Sequence, residues 1–379
     1  MRLRAAATAL LAGLVFASVG AADARAHGPL LLGVQDDPVF VHLPYYNGKR
    51  VRHVMPAKRG YLWAKKLGAD VIRIAVHWST VVPRRGVEGW SYYDNAIAQA
   101  RKQGFFVQLE LTGPAPAFAT PNHHGGVYRP NASAFARFAA GAASRYQGQI
   151  QAYSIWNEPN WWDQLEPMRS SAPLYRQLYE GAYAAIKRVD PKALVLIGEL
   201  APMGFARSSI PPLRFLRELT CRTRAMKPTG RCKPLLADGF ALHPYTLSSQ
   251  PRFPGKTRDD ATTGSLSRLI HMLDQLARVG ALRTPQGHAL DVYLTEYGWH
   301  VQTRRMSEST RARFAREGFA IAFAHPQVKE IVWYQLTPPP PNRHVTWNTA
   351  LLGANGRITR TFTALRGWIA SIKRWVVPG

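Results

Sequence analysis

Two glutamates lie in short segments that combine a carboxylate with amide and aromatic side chains. Glu158 belongs to the segment 157–162, Asn-Glu-Pro-Asn-Trp-Trp, and Glu296 opens the segment 296–299, Glu-Tyr-Gly-Trp. A pair of carboxyl groups can cleave a sugar linkage, because one protonates the leaving oxygen while the other attacks the anomeric carbon or activates water there. The two segments therefore predict a site for glycosidic bond cleavage, provided that the fold brings them together.

Other acidic residues compete with this pair. Glu110, Glu199, Asp36 and Asp37 also lie near the ends of β-like segments, and we expect them to pair with arginines or to bind sugar hydroxyls. The alternative role for Glu158 and Glu296 is in surface ion pairs, which their aromatic neighbours disfavour. No His, Asp and Glu spacing resembles a metal motif such as HExxH, so we expect the chemistry to need no metal and no cofactor.

The elements that must position these side chains alternate along the chain. Short apolar or β-branched runs are separated by longer helical patterns, which favours βα units and a parallel sheet. Eight runs predict strands, at 30–35, 70–76, 105–111, 151–156, 194–198, 239–243, 291–295 and 330–334. Helical patterns between them include 92–103, 132–146, 172–189, 264–279 and 307–324. Eight such units predict an α/β fold, a single (β/α)8 TIM barrel, in which strands four and seven deliver the two glutamates to the C-terminal face.

A doubly wound sheet is the alternative fold. It usually carries a glycine-rich phosphate-binding turn after the first strand. Here that turn reads Asp36-Asp37-Pro38, and no GxxxxGK[ST] motif occurs in the chain. The barrel is therefore the better prediction.

The strand-end motifs resemble a known group of enzymes. Trp156-Asn157-Glu158-Pro159 together with Thr295-Glu296-Tyr297-Gly298 resembles the retaining β-glycosidases of clan A, most similarly those of families 39 and 5. The resemblance implies that Glu158 is the acid/base, that Glu296 is the nucleophile and that Asn157 hydrogen-bonds the sugar 2-hydroxyl. It also implies an oligo- or polysaccharide substrate.

Four further positions match the pattern of the clan. Arg73 on strand two corresponds to the arginine near the nucleophile, and His243 and Tyr245 correspond to the strand-six position whose tyrosine contacts the nucleophile. Trp333 on strand eight corresponds to the aromatic floor under the sugar. The turn after strand three, Leu111-Thr112-Gly113, departs from the histidine-bearing turn of family 5 and favours family 39.

Aromatic rings near the strand ends support a sugar partner, because flat rings stack on the apolar faces of pyranoses. The candidates are Trp161, Trp162, Trp299, Trp333 and Trp347. Their alternative role is packing between the barrel and its helices. Four more residues after strands two and three either line the site or are ordinary hydrogen-bonded loop residues: His77, Trp78, His123 and His124.

The N-terminus has the features of an export signal. Two arginines precede an apolar run at 5–20, and Ala24-Arg25-Ala26 matches a small-residue cleavage site. Residues 1–26 are therefore predicted to be a secretory signal peptide and 27–379 the catalytic domain, secreted or held at the cell envelope. The alternative is an uncleaved N-terminal anchor; no later segment is apolar for long enough to insert stably in a membrane.

The only two cysteines, Cys221 and Cys232, flank a loop rich in Arg, Lys, Pro and Gly. In an oxidising compartment this spacing predicts a disulfide. A metal site lacks matching ligands nearby, and a catalytic thiol lacks a nearby histidine.

Charge is the remaining feature that needs an explanation. Forty-nine Lys and Arg oppose twenty-three Asp and Glu, giving a formal net charge of +26. The arginines follow no nucleic-acid-binding pattern, so we expect no nucleic acid partner. We expect instead a monomer whose basic surface attracts acidic polymers at the cell envelope, or whose substrate is itself acidic. Two other functions remain open: a transglycosylase that uses the same residues, and a non-catalytic carbohydrate-binding envelope protein.

Overall fold

The computed structural model describes residues 30–43, 45–46, 49–50, 55–301, 306–339 and 347–376. The predicted signal peptide, 1–26, lies outside these ranges. Within them, no helix combines the length and the apolar composition that crossing a bilayer requires.

Eight parallel strands form a closed barrel, as the sequence predicts. The strands are β1 Leu31–Gln35, β2 Val71–His77, β3 Phe106–Thr112, β4 Ala152–Ile155, β5 Leu194–Leu200, β6 Gly239–Leu242, β7 Val292–Tyr297 and β8 Val328–Tyr334. Each strand pairs with the next one along the chain, and β8 pairs with β1 to close the barrel. The single (β/α)8 fold is therefore confirmed, and the C-terminal ends of all eight strands meet at one face.

One longer helix follows each strand and covers the outside of the barrel. These helices are α1 Ala57–Leu67, α2 Ser91–Lys102, α3 Ala132–Arg145, α4 Ser171–Val189, α5 Pro212–Leu219, α6 Leu266–Arg278, α7 Glu308–Phe323 and α8 Arg360–Val376. Short helical turns at Asp37–Phe40, Trp78–Val81, Ala117–Ala119, Met168–Ser170 and Thr263–Ser265 lie in the loops that follow β1 to β4 and β6. The five predicted helices agree with the structure to within two residues at each end.

The helices begin and end where local chemistry favours it. Asn131 and Ser307 precede α3 and α7, and the side chain of each accepts a hydrogen bond from a backbone amide in the first turn. Gly68 ends α1 in the left-handed conformation, with a φ of 94°. Such end signals explain why the helix boundaries could be predicted closely.

Two irregularities in strand pairing lie near the C-terminal face of the barrel. The pairing of β5 with β6 shifts between Gly198 and Leu200, so that Glu199 is an extra residue. The pairing of β7 with β8 shifts between Leu294 and Tyr297. Bulges of this kind change the direction of side chains, and they often occur next to active sites.

Only glycine fits at the first bulge. Gly198 has a φ of 121°, and a Cβ atom there would lie 2.4 Å from the carbonyl oxygen of Ala241. The residue after it, Glu199, is fully buried with a φ of 50°. The bulge therefore directs a carboxylate into the barrel interior.

At the other end of the barrel, Cys221 and Cys232 form the predicted disulfide, with their Cα atoms 6.0 Å apart. The bond lies in the segment that joins α5 to β6. That segment is on the N-terminal face, so the disulfide stabilises a loop far from the catalytic candidates.

Candidate active site

A cavity of about 290 Å³ lies at the C-terminal face of the barrel. Six strands or the residues that follow them each contribute polar side chains to its wall, among them Gln35, His77, Glu110, Asn157, Glu296 and Tyr334. The glutamate predicted at the end of β7 therefore faces an enclosed space that is polar enough to hold a sugar.

Glu158 follows β4 in an unusual backbone turn. The φ angles of Trp156 and Glu158 are 66° and 36°, and the indole Nε1 of Trp156 donates to the carbonyl oxygen of Gln164 at 2.7 Å. Glu158 Oε1 lies 3.0 Å from His243 Nδ1. Burial raises the pKa of Glu158, and the hydrogen bond from His243 offsets this only in part. A raised pKa favours the protonated form of the carboxyl, which is the form that can donate a proton.

Glu296 is held from three directions at the end of β7. Arg73 Nη1 donates to Glu296 Oε1 at 3.1 Å, and the Tyr245 hydroxyl donates to Oε2 at 3.3 Å. His243 Nδ1 lies 3.7 Å from the same Oε2. The side chain is 15% exposed, on the side of the cavity. These contacts fix the position of the Glu296 carboxyl group, which points at the space where a sugar would bind.

His243 joins the two glutamates to a third. Its Nδ1 faces Glu158 and Glu296, and its Nε2 lies 2.6 Å from Glu199 Oε2. Burial alone would lower the pKa of this imidazole, but its three carboxylate neighbours raise that pKa well above its usual value. His243 is therefore an imidazolium whose Nε2 donates to the Glu199 carboxylate and whose Nδ1 donates to an oxygen of Glu158.

Glu199 is the strongest anion of the cluster. It contacts Arg73 Nη2 at 3.2 Å and accepts from the Thr295 hydroxyl at 2.6 Å, in addition to its bond with His243. Burial alone would raise the pKa of Glu199, but Arg73 and His243 outweigh burial and lower that pKa to about 2. Glu110 also contacts Arg73, at 3.3 Å, but here burial dominates and raises the pKa of Glu110 well above its usual value.

Groups of opposite charge face one another throughout the cluster. Arg73 and His243 supply positive charge, whereas the raised pKa values of Glu110 and Glu158 favour their neutral forms. Glu199 supplies negative charge and contacts both cations. Pairing of this kind offsets part of the cost of burying each charge in a low-dielectric interior.

Asn157 lies beside the predicted acid/base. Its Nδ2 donates to Gln164 Oε1 at 3.1 Å, while its buried Oδ1 has no hydrogen-bond partner among the described residues. An unpaired buried acceptor on the wall of a cavity is a place where a ligand hydroxyl can donate. This geometry is compatible with the sugar-binding role that the sequence resemblance implies.

Two residues that the sequence offered as possible parts of the site, Asp37 and His77, lie in the cavity wall. Asp37 accepts from the amide of Ala75 and from Gln35 Nε2, both at 2.8 Å, and burial raises the pKa of Asp37. His77 Nδ1 lies 2.9 Å from the carbonyl oxygen of Gly113, and burial lowers the pKa of His77. Sequence reasoning missed Gln35 and Tyr334, whose only signal was their position at the ends of β1 and β8.

Trp333 does not line the cavity, although the sequence resemblance implied that it forms the aromatic floor under the sugar. Trp333 is 1% exposed and packs against Phe319 and Trp299 on the helix side of the barrel, and its Nε1 donates to the carbonyl oxygen of Thr349. Side chains alternate along a strand, so the next residue, Tyr334, faces the cavity instead.

The other aromatic candidates divide into two groups. Trp299 is fully buried and packs on Tyr297, and Trp78 is buried against Phe138, so both belong to the packing between barrel and helices. Three others lie near the mouth: Trp347 packs on Tyr245, Trp161 packs on Phe205, and Trp162 is 49% exposed. Of the two predicted loop histidines, His123 has a φ of 57° and both side chains are exposed.

Asp36 has a structural role. It is buried, and its Oδ2 accepts from the amide of Thr337 at 2.7 Å and from the hydroxyl of the same residue at 2.8 Å. Burial raises the pKa of Asp36 to about 7. This contact joins the loop after β1 to the loop after β8, where the barrel closes.

Comparison with known families supports a glycan-cleaving enzyme. The model of cellulase, glycosyl hydrolase family 5, matches residues 43–249, which is more than half of the chain. The matched range contains Glu158 and ends before β7. The turn after β3 led us to favour family 39, whereas the matching model is that of family 5; a single loop is weak ground for that choice, because loops vary within barrel families. No protein with a curated description matches the chain.

Solved structures with similar folds are also glycoside hydrolases. A family 39 glycoside hydrolase from the gut symbiont Bacteroides cellulosilyticus WH2 aligns with a TM-score of 0.67 and 18% identity, over 91% of this chain and 64% of that longer chain. GH5_18 from Streptomyces cattleya, in complex with GlcNAc, aligns with a TM-score of 0.60 and 16% identity, over 92% and 81% of the two chains. Native xylanase 10B from Thermotoga maritima aligns with a TM-score of 0.58 and 12% identity, over 91% and 96%. At these identities the likeness shows the fold.

Proposed function

Because the chain belongs to the cellulase family, glycosyl hydrolase family 5, we propose that it hydrolyses β-glycosidic bonds of an oligo- or polysaccharide with retention of configuration. The observation that carries this proposal is the contact of one imidazolium, His243, with both Glu158 and Glu296. It holds a proton donor and a nucleophile on opposite strands of one barrel mouth.

The spacing of the two carboxylates favours retention. Both facing oxygens lie within 4 Å of His243 Nδ1, at 3.0 and 3.7 Å. The separation of these two oxygens cannot exceed the sum of the two distances. That upper limit reaches only the lower edge of the roughly 6.5–9.5 Å separation that inverting enzymes need. Little room remains for a water molecule between sugar and base, so direct attack by the carboxylate is the better mechanism.

In the first step, a carboxylate oxygen of Glu296 attacks the anomeric carbon, and the bond from that carbon to the glycosidic oxygen breaks. Glu158 gives its proton to the departing oxygen. Arg73 and Tyr245 hold the nucleophile in place by the contacts described above. The products of this step are the free leaving group and a glycosyl ester on Glu296.

In the second step, Glu158, now ionised, takes a proton from water, and the water oxygen attacks the same carbon from the side that the leaving group vacated. The ester bond breaks and the Glu296 carboxylate is restored. Two inversions give net retention. Neither step requires a metal or a cofactor.

Cleavage of 4-nitrophenyl β-glycosides and of a set of polysaccharides, followed by reducing-end analysis, tests the activity. Proton NMR of the first-formed anomer tests retention. Glu296→Gln should reduce kcat by roughly 10³-fold or more, because the covalent route is lost. Glu180→Gln, an exposed carboxylate on α4, serves as the control and should behave like the wild type. Full turnover in the Glu296 variant would refute the assignment.

Glu158→Gln should produce an effect that depends on the leaving group. A poor leaving group such as an alkyl alcohol needs a proton, so its cleavage should slow by about 10²–10⁴-fold. A 2,4-dinitrophenolate leaves without that proton, and formation of the glycosyl ester from it should slow far less. Pre-steady-state release of dinitrophenol measures this step. Equal slowing for both leaving groups would contradict the acid role.

We also propose that residues 1–26 are removed during export and that 27–379 form the secreted enzyme. The sequence pattern of the N-terminus supports this proposal, and the disulfide is compatible with an oxidising compartment. Mass spectrometry of the protein exported by an expressing cell tests it, with His27 as the expected first residue. Retention of the arginines at the start of the chain would contradict it.

A further inference from the structure

The charges around the barrel mouth differ between its two sides. The cavity that holds the nucleophile is bordered by the acidic side chains of Asp37, Glu110 and Asp163. Such a lining suits the hydroxyl groups of a neutral sugar, and the described residues that line this cavity include no lysine or arginine to bind an anionic group. The sugar that becomes attached to the enzyme should therefore be neutral.

The leaving group must lie on the other side of Glu158. An acid catalyst has to reach the oxygen between the two sugars, so the departing part extends from this glutamate away from the cavity. The amide of Trp161 donates to the carbonyl oxygen of Glu158 at 2.8 Å, and the amide of Trp162 donates to that of Ser208 at 2.9 Å. The loop after β4 thus packs directly on the loop after β5, and a leaving group that extends in this direction would contact both.

A second cavity, of about 640 Å³, opens beside these loops. Arg169, Arg207, Arg214 and Phe205 are among the side chains that line it. Arg214 forms an ion pair with Glu218 at 2.7 Å. In the part of the chain that the structure describes, no ion pair is found for Arg169 or Arg207. Glu218 also lines this cavity but is already paired with Arg214, so the positive charges of Arg169 and Arg207 face the cavity unpaired among the described residues.

Aromatic rings connect the second cavity to the catalytic loop. Trp161 packs edge-on against Phe205, with ring centroids 5.7 Å apart. The ammonium group of Lys256 lies 4.9 Å from the centroid of the same Phe205 ring. Apolar ring surface next to cations is the combination that binds a sugar carrying an anionic group.

The acidic residues of the neighbouring loop after β6 are already occupied. Asp259 pairs with Arg217 and Arg224, and Asp260 accepts from the backbone amides of three residues in the two loops. In addition, α4 and α5 both begin at the rim of the second cavity, which adds the partial positive charge of two helix N-termini. The local field therefore favours an anion.

Resting on the proposed glycosidase activity, we infer that the natural leaving group is an acidic saccharide, whose anionic group is bound by Arg169 and Arg207 in the second cavity. The enzyme then cleaves between a neutral sugar and an acidic one. This assigns part of the high positive charge to substrate recognition at one defined place.

Two substrates that differ only in the leaving sugar test the inference. Once aryl glycosides have identified the neutral sugar, its β-1,4-linked disaccharides with glucuronate and with glucose are compared at low ionic strength. We expect kcat/KM to be about tenfold higher for the glucuronate compound, since two partly exposed charge contacts each contribute a few-fold. The preference should shrink in 0.5 M NaCl.

Variants locate the effect. In the double variant Arg169→Ser, Arg207→Ser, the ratio of the two kcat/KM values should fall to near one. Arg231→Ser removes another exposed arginine, in the disulfide-bonded loop at the opposite face, and should keep the wild-type ratio. Equal rates on both disaccharides in the wild type, or an unchanged ratio in the double variant, would overturn the inference and leave the glycosidase activity intact.

A binding measurement separates this inference from the proposed function. Electrophoresis through gels that contain polygalacturonate, dextran sulfate or neutral pullulan needs no catalysis. Polygalacturonate should retard the wild type and the Arg231 variant more than the double variant, and pullulan should retard none of them. If only dextran sulfate retarded the protein, the recognised group would be a sulfate and not a carboxylate. Equal retardation of the double variant and the wild type would overturn the inference even if no glycoside were cleaved.

Discussion

His243 shows what the residue-level prediction could and could not provide. Its position at the end of β6 and its contact with Glu158 and Glu296 are compatible with the resemblance of the strand-end motifs to clan A. Its contact with Glu199 depends on the bulge after Gly198, and a bulge has no clear sequence signal beyond one glycine. Strand-end residues could therefore be predicted individually, whereas the network that sets their charges could not.

Replacing Glu199 should change the protonation of His243. In the wild type we expect the imidazole to stay charged between pH 5 and pH 8, because three carboxylates raise its pKa. Glu199→Gln removes the closest of them, at 2.6 Å. The pKa of His243 should then fall into the range where burial dominates, and the histidine should titrate below pH 8. Long-range ¹H–¹⁵N NMR of the imidazole nitrogens measures this directly.

The matched control is Glu110→Gln. Both carboxylates contact Arg73, but only Glu199 contacts the imidazole. Other groups facing Glu199, namely Thr295 and the more distant Glu330 and Tyr175, are the same in both variants. In the Glu199 variant, kcat/KM should fall by about 10–100-fold and its pH profile should move, while melting temperatures report folding. A His243 that stays charged in the Glu199 variant, or that loses its proton equally in the control, would contradict the link.

The strands explain the misplaced aromatic residue. A strand presents alternate side chains to its two faces, so an interior position is determined by register and not by residue type. Glu330 and Tyr334 on β8 face the barrel interior, and Trp333 between them faces the helices. The strand itself was predicted correctly. Which of its side chains point into the barrel was not predicted correctly, because a strand that is buried on both sides shows no alternation of polar and apolar residues.

Glu330 should make the stability of the barrel depend on pH. It is 2% exposed, its Oε1 has no hydrogen-bond partner in the part of the chain that the structure describes, and burial raises its pKa to about 8. An unfolded chain releases this proton near pH 4.3. Between the two values the folded protein holds a proton that the unfolded chain has lost, so the free energy of unfolding falls as pH rises.

Glu330→Gln removes that dependence, because an amide does not titrate. The variant should nearly match the wild type near pH 4.5 and exceed it at pH 8 by roughly 5 kcal/mol, since the pKa is about 8 in the folded protein and about 4.3 in the unfolded chain, and each unit of that difference corresponds to about 1.4 kcal/mol. Urea unfolding at pH 5, 6, 7 and 8 measures the difference. Glu317→Gln on the surface of α7 serves as the control. A constant difference at all four pH values would show that Glu330 is ionised in the folded protein.

For the molecule as a whole, the pattern of eight strands was predictable because each strand and helix repeats one simple rule of period and end signals. The loops on the C-terminal face follow no such period, and they carry both the positive-φ turn at Glu158 and the second cavity. Fold and catalytic candidates could thus be read from the sequence. The places where a substrate is recognised depend on how separate loops pack together, which no local pattern reports.

The charge of the whole chain should make its stability depend on salt. The chain has forty-nine basic and twenty-three acidic residues. Several of the carboxylates lie inside the barrel, in the cluster around Arg73. The remaining surface repels itself, and this repulsion falls when the chain unfolds and its charges separate. Salt screens the repulsion in the folded state, with a Debye length of about 8 Å at 0.15 M. The melting temperature should therefore rise by about 2–5 °C between 20 and 300 mM sodium chloride.

Two salts distinguish screening from specific binding. Sodium chloride and potassium fluoride at equal ionic strength should raise the melting temperature equally, because screening depends on ionic strength and not on the identity of the anion. The double variant Arg169→Ser, Arg207→Ser should start from a slightly higher melting temperature at 20 mM salt, since it carries two fewer positive charges. A melting temperature that does not change with salt would mean that the surface charges lie too far apart to act on one another. The positive charge would then affect only the approach and binding of an acidic partner, and not the stability of the barrel.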